Sequence, residues 1–525
     1  MAKVRNFLFI MCDQLRADYL SCYGHPTLET PHIDALAARG VRFSQAYCQS
    51  PVCGPSRGSF YTGRYMLNHG VTWNNVPTPV GELTMGDYLH DQGVRTALVG
   101  KTHMRPDVDG MRRLGIDPGS SLGVLVAQSG FEPFERHDGL HPEQSLDPDL
   151  AYNHYLRGLG YEADNPWHDF ANAAEGPDGE ILSGWYMRNA RLPARVREEH
   201  SETAYMTDRA MAFIDAAGAE PWCLHLSYIK PHWPYMAPAP YNDMYGANQI
   251  LAANRHSAER DDPHPVVAAF MTHEDSRNFQ SEEVRHMVIP TYMGLIKQID
   301  DHIGRLTTFL ERSGRLDDTM IVFTADHGDY LGDHWLGEKE LFHEPAARIP
   351  FIVYDPDPGA DGTRGTQDAR FVEGIDVIPT FLDALGAELP THLLEGRSLL
   401  PLTRGGAADL PWRDAAFSEA EYAVRKARLE LGLEPHQCRA FMVRQGPWKY
   451  ILYEAFRPQL FNLEDDPGEL HDLGEDPGYA KPRAELHERL FQWLRTRPIR
   501  PTRSDAAMAA TTGKAKERGY YIGVW

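Results

Sequence analysis

Short, almost unbroken apolar runs alternate with segments of helical periodicity along most of the chain. The runs "NFLFIM", "RTALVG", "WCLHLSY", "MIVFTA" and "PFIVYD" have the length of strands. Continuous apolarity is what a parallel strand needs when helices cover both faces of its sheet. Between the third and fourth runs, "SEEVRHMVIPTYMGLIKQIDDHIGRLTTFLERSG" repeats its apolar positions at helical spacing and stops at Gly314. The pattern predicts an α/β fold with a large, mainly parallel sheet sandwiched by helices.

Two departures from this alternation divide the chain. Residues from about 107 to 199 are rich in Gly, Pro, Asp and Asn with little periodicity, and read as an insertion of long loops over the sheet of a main domain spanning 1–410. After Pro411, "RAFMVRQGPWKYILY" predicts two strands joined at Gln445-Gly446-Pro447, "LFNLEDDPGELHDL" a strand and turn, and "RAELHERLFQWLRTR" an amphipathic helix. Residues 411–500 are therefore expected to form a smaller α+β subdomain, an antiparallel sheet with a packed helix. The tail, 501–525, ends in "GYYIGVW". Aromatic side chains are costly to leave in water, so it is expected to dock on a neighbouring subunit or back on its own chain.

Composition narrows the partners. With 74 acidic against 52 basic residues the formal charge is -22, which argues against a sequence-independent nucleic-acid binder, since that needs cationic surface to displace counterions. Local positive pockets remain compatible with it. The start "MAKVRNFLFIMCDQ" imitates a signal peptide, but its apolar run ends at Asp13 without a small-residue cleavage site and reads as a first strand. No apolar stretch approaches the roughly 20 residues that cross a bilayer. Cys12, Cys22, Cys48, Cys53, Cys223 and Cys438 make no C-x-x-C pair, so the default is a cytoplasmic protein with reduced thiols and no membrane partner.

Three groups of residues carry candidate chemistry. In "CGPSRGSFYTG", Pro55 marks a helix start and Arg57 stands four residues after Cys53, so sulfur and guanidinium share a face beside the positive end of the helix dipole. Such a cysteine is either a reactive group that favours an anionic form or a buried thiol beside a surface arginine. Second, Asp13-Gln14 and Asp326-His327 each follow an apolar run. Both pairs should emerge at the carboxyl ends of parallel strands, where two carboxylates, an amide oxygen and an imidazole would suit a divalent metal. Either pair alone reads rather as a helix cap; the recurrence on two strands favours the metal. Third, Lys101 and His103 in "GKTH", Lys230 and His232 in "KPH", and Lys339 in "GEKELFHE" lie at or near strand ends. Taken singly each is a solvated surface residue; together they suggest an anionic substrate and proton transfer.

"CGPSRGSFYTGRY" resembles the C-x-P-S-R…T-G-R signature of the sulfatase family, within the alkaline phosphatase superfamily. "PHIDALAARGVRFSQAYCQSPVC", "DDHIGRL", "DHGDYLGDHWL" and "LFNLEDDPGELHDL" look like further sulfatase segments in matching order, so the resemblance covers most of the chain outside the insertion and tail. It implies an alkaline phosphatase-like fold. It also implies that Cys53 is oxidised to formylglycine (3-oxoalanine) by a formylglycine-generating enzyme that reads the Pro and Arg. In such proteins one hydroxyl of the aldehyde hydrate attacks sulfur or phosphorus, and the other then expels the bound acid by reforming the aldehyde.

The resemblance further implies roles. One divalent metal, calcium or manganese, would sit on Asp13, Gln14, Cys53, Asp326 and His327. Arg57 would hold the diol, Lys101 and Lys339 would bind non-bridging oxygens, and His103 would be the base that collapses the hemiacetal. His232, helped by Lys230, would serve the leaving oxygen, while Asn74 in "WNNVP" would present its amide to substrate. Many sulfatases carry Asp-Asp and Asp-Asn at the metal pairs. The Asp-Gln and Asp-His pairs here are similar to those of phosphonate monoester hydrolases and choline sulfatases, whereas Lys101 with His103 looks like sulfatases. The expectation is an arylsulfatase that also accepts phosphonate and phosphate esters, with a phosphonate monoester hydrolase or a choline-type sulfatase as alternatives. Related proteins suggest a homo-oligomer, a dimer or tetramer. A non-catalytic scaffold should lack one of these groups, and none is missing.

Overall fold

The computed structural model describes residues 4–139, 150–405, 411–498 and 500–521. Residues 140–149 of the expected insertion, the boundary at 406–410 and the last four residues of the tail lie outside the described residues.

Eight strands form the main sheet: β1 (Asn6–Asp13), β2 (Val41–Phe43), β3 (Arg95–Gly100), β4 (Glu132–Arg136), β5 (Trp222–Pro231), β6 (Thr319–Ala325), β7 (Phe351–Tyr354) and β8 (Thr366–Asp368). Their spatial order is β8-β2-β7-β6-β1-β5-β3-β4. All eight residues of β1 and all ten of β5 are buried, the two-sided cover that their apolar runs demand. The 31-residue helix Glu282–Arg312 turns Ile289, Tyr292, Ile296, Ile299, Ile303 and Leu306 into this core. Each such side chain contributes roughly 1.5–3 kcal/mol by leaving water.

Two expectations are corrected. The run "PFIVYD" forms β7, which is antiparallel to both β6 and β2. An unbroken apolar run reports burial on both faces and is silent about direction; the segment between β6 and β7 holds only short helical turns, not the long helix that usually carries a parallel crossover. The 107–199 segment is also more than loops laid over the sheet. It contains the helices Val108–Arg113, Ser121–Ala127 and Ala151–Gly158, and it supplies β4, the edge strand beside β3. "EPFER" carries a proline and charges because an edge needs no second partner, and so it shows no apolar run.

A separate antiparallel meander follows: β9 (Ala415–Glu421), β10 (Arg439–Gln445), β11 (Trp448–Tyr453) and β12 (Gln459–Asn462). The helix Ala480–Thr496 lies against it through Leu486, Leu490 and Trp493, the Trp493 ring stacking on Phe417 at 4.3 Å. In the tail, the helix Asp505–Thr511 has no buried residue and Tyr520 and Tyr521 are 62% and 66% exposed, while Ser504, Asp505 and Ala506 share the wall of a cavity with Leu83, Asp87 and His392.

Register aligns the strand ends. Cys12 lies opposite Ala325 and Asp13 opposite Pro231, which sets Asp13 level with Asp326 and His232. Gly100 pairs with Ser227, and the Lys101 amide donates to the Ser227 carbonyl at 3.0 Å. Gly100 adopts φ 111°, and a Cβ there would stand 2.0 Å from the Ser227 oxygen. Gly100→Ala is therefore expected to lower stability by about 2 kcal/mol or more in urea unfolding, from backbone strain plus the clash, and to impair turnover by displacing Lys101. Unchanged stability would show that the two strands part without cost.

Candidate active site

Cys53 opens the helix Cys53–Thr62, every residue of which is buried. The helix points its positive dipole end at the strand termini. Asn74 accepts from the Gly54 amide at 2.7 Å, so it secures this terminus through its side-chain oxygen. Ser56 Oγ donates to the Asp326 carbonyl at 2.6 Å, tying the helix to the end of β6.

Arg57 lies between the two metal-pair aspartates with no exposure on any of the three side chains. Its Nε donates to Asp326 Oδ2 at 2.9 Å and Nη2 to Asp13 Oδ2 at 3.0 Å; Nη1 donates to the Lys101 carbonyl and to Ser227 Oγ, both at 2.7 Å. Lys101 Nζ lies 2.6 Å from Asp13 Oδ2. Burial pushes the Asp13 carboxyl up and the Cys53 sulfur pushes it further, yet Lys101, His232 and Arg57 hold it well below the usual range.

The Cys53 sulfur is 3.2 Å from His327 Nε2 and 3.8 Å from Asp13 Oδ1. Burial would raise this thiol, but Lys339 and Lys101, ahead of His327 and His103, draw it well below its ordinary value. The same cations that hold a thiolate would hold any anion in its place. Lys339 donates to Gln14 Oε1 at 2.8 Å and stands 3.2 Å from His232 Nε2. His232 is kept low by burial and by Lys339. Its Nδ1 lies 2.7 Å from the Trp233 carbonyl, which leaves Nε2 facing Lys339.

Donor atoms of Asp13, Cys53, Asp326 and His327, all buried, lie within 4.8 Å of one another. This set fits a divalent ion: two carboxylates and an imidazole are suitable donors. His327 Nδ1 lies 2.8 Å from the Gly328 carbonyl, the outer contact that fixes the tautomer and turns Nε2 inward. Gln14, at φ 63°, sits beside the set, but its amide bridges Lys339 and Asp329, with Nε2 donating to Asp329 Oδ2 at 2.5 Å.

Among the expected site residues, Lys230 turns away, and Asn74 turns its amide oxygen to the Gly54 amide. The Lys230 ammonium bonds Asn172 Oδ1 at 2.9 Å and the Pro234 carbonyl at 2.7 Å, and lies 3.4 Å from Glu202. It thus holds the His232–Pro234 turn from behind. Four residues at the site escaped sequence reading: Asp329 orients Gln14, Ser227 holds Arg57, Asp138 accepts from the backbone of Thr102 and His103, and Glu338 lies 3.2 Å from Lys339. Only Asp329 had a signal, as the second acid of "DHGD".

Residues 5–387 match the sulfatase family model. The chain belongs to the sulfatase family. Residues 332–496 of this sulfatase also match the model described as N-sulphoglucosamine sulphohydrolase, C-terminal. It is 31% identical to a multifunctional alkaline phosphatase superfamily protein of Trinickia caryophylli, over 93% of this chain and 95% of that one. It is 30% identical to a choline-sulfatase of Rhizobium meliloti, over 90% and 83%. In structure it resembles phosphonate monoester hydrolases of Silicibacter pomeroyi (TM-score 0.82, 29% identity, 95% and 96% covered) and Agrobacterium radiobacter (0.80, 28%, 94% and 96%). The sulfatase is thus a hydrolase whose relatives include phosphonate as well as sulfate ester enzymes. Among the described residues no helix is long and apolar enough to cross a membrane.

Removing Arg57 strands two buried carboxylates. Arg57→Ala is expected to cost about 3–5 kcal/mol in urea unfolding of chelator-treated protein, and Arg57→Lys less. A loss below about 1 kcal/mol would mean that the carboxylates do not depend on the guanidinium.

Proposed function

We propose that this sulfatase hydrolyses sulfate monoesters, aryl sulfates foremost, through a formylglycine derived from Cys53, with phosphonate and phosphate esters as secondary substrates. The observation that carries this reading is the convergence of Lys339 and Lys101 on residue 53: although Arg57, Lys101 and Lys339 are matched by Asp13, Asp326 and Glu338, the two ammonium groups draw the Cys53 thiol well below its ordinary value. Buried cations aimed at one position favour an anionic partner there.

Asp13, Asp326, His327 and residue 53 would hold the divalent ion, calcium or manganese, which when bound supplies Lewis acidity at the reacting oxygens. Gln14 joins this set if Lys339 releases its amide oxygen to take up substrate. Residue 53, as the aldehyde hydrate, supplies the attacking hydroxyl and the second hydroxyl that later frees the acid; the maturing chain requires a formylglycine-generating enzyme as its partner.

The protein's own side chains do the rest. Arg57 fixes the two carboxylates and the end of β3 in one frame. Lys101 and Lys339 stabilise the non-bridging oxygens as their charge grows, a role suited to ammonium groups already desolvated and pre-placed. His103 is among the groups that draw down the residue 53 thiol and would take a proton from its hydroxyl. His232, whose Nε2 faces the Lys339 ammonium, would relay a proton from that ammonium to the departing oxygen. Lys230 and Asn74 act by holding backbone, the first behind His232 and the second at Gly54.

A second reading, phosphonate monoester hydrolysis as the main activity, is favoured by the likeness to the two phosphonate monoester hydrolase structures. Comparing kcat/KM for 4-nitrophenyl sulfate and 4-nitrophenyl phenylphosphonate decides between them; the expected order is sulfate first, and a clear phosphonate advantage reverses the assignment. Peptide mass spectrometry of active enzyme is expected to find aldehyde rather than thiol at residue 53. Asp326→Asn is expected to retain less than about a tenth of the wild-type divalent metal after dialysis, since the ligand charge falls by one; elemental analysis reads this without reference to turnover. Full retention would remove Asp326 from the ligand set.

A further inference from the structure

Beside the reactive cluster lies a cavity of about 820 Å3 whose walls include Trp185, Tyr186, Trp233, Asp275, Glu338 and Arg425. It adjoins the site directly. The Trp233 ring is 4.2 Å from the His232 ring and its centroid 5.7 Å from Lys339 Nζ, and Glu338 contacts Lys339. Trp185 continues the aromatic wall outward at 5.2 Å from Trp233. At the mouth, Tyr186 and Val424 are 58% and 64% exposed.

Trp185 and Trp233 each pack against the core on one side and are partly open on the other, and the exposed rim at Tyr186 and Val424 loses free energy to water unless something covers it. The deeper polar end is largely internally paired: Arg425 lies 3.0 Å from Glu340 and 3.4 Å from Asp275, and Lys426, another wall residue, pairs with Glu430 at 2.9 Å. Glu338 keeps acceptor capacity beyond Lys339.

Resting on the reading that the cluster cleaves an ester, we propose that this cavity receives the organic group of the substrate, that the group is an aromatic system of more than one ring bearing a distal hydroxyl or amine, and that Trp185 and Trp233 select it. The ring stacks on the indoles as it leaves past His232; the distal donor meets Asp275, a wall residue of the cavity. Size sets the number of rings. A cavity of about 150 Å3 suffices for benzene, and the space here is several times larger. The cavity on the opposite side, at His103, Arg105 and Arg136, offers only about 50 Å3.

The test compares 6-hydroxy-2-naphthyl sulfate with ethyl sulfate, and the 6-hydroxy-2-naphthyl and ethyl esters of phenylphosphonate in parallel. Trp185→Ala is expected to lower kcat/KM about tenfold for both naphthyl esters, mainly through KM, and less than about twofold for the ethyl esters. Trp185→Phe is expected to restore most of the loss, and Tyr186→Ala, at the exposed rim, to show a smaller loss of the same pattern. Equal losses on naphthyl and ethyl esters, no loss, or a naphthyl-specific loss in Arg105→Ala instead would overturn the proposal. A wild-type preference for phosphonates with the same naphthyl-specific penalty would sink the sulfatase reading and leave the cavity assignment standing.

Discussion

One guanidinium, buried between two carboxylates, is what the site depends on. Arg57 reaches Asp13 at the end of β1, Asp326 after β6, the Lys101 carbonyl after β3 and Ser227 in β5. Four strands of the main sheet are therefore gauged against a single planar group projecting from the helix Cys53–Thr62. A fork of fixed geometry suits this better than a flexible ammonium could, because each N–H has one direction. The desolvation of all three charged groups is costly, and it is offset only while every partner keeps its place. The arrangement is thus stiff by necessity.

The residues proposed to hold substrate inherit their precision from that frame. Lys101 follows the strand end that Arg57 grips, and Lys339 rests on Gln14, whose amide is oriented by Asp329. The loop bearing Lys339 has left-handed backbone at Glu338 and Glu340, conformations that non-glycine residues adopt at a cost. The Glu340 amide bonds the Pro51 carbonyl, joining this loop to the segment just before Cys53. Strain concentrated next to the reacting groups, with well-packed strands behind them, is the division expected when a fold places a site and loops tune it.

Much of this was legible in the chain itself. The five apolar runs are strands, the long amphipathic segment is the helix Glu282–Arg312, and the hairpin at Gln445-Gly446-Pro447 lies between β10 and β11. Cys53, Arg57, Asp13, Asp326 and His327 could be gathered because strand ends and a helix start are visible in local patterns. The direction of β7 was not, since apolarity carries no vector. β4 was hidden because edge strands tolerate proline and charge. Lys230 misled because "KPH" shows its neighbourhood but not the Asn172 and Glu202 side chains that claim its ammonium. Ser227 and Asp138 were invisible for a similar reason: an ordinary serine or aspartate acquires its role from what lies across the sheet.

The complete burial of the helix Cys53–Thr62 has a consequence for the order of events in making the protein. A maturation enzyme that reads residues 53 to 57 needs them as an accessible peptide, and in the finished molecule they are enclosed on every side. Under the proposed chemistry, oxidation must therefore outrun collapse on the emerging chain. The fraction of competent molecules is then settled by a kinetic contest during synthesis, and a chain that folds first is trapped with its thiol.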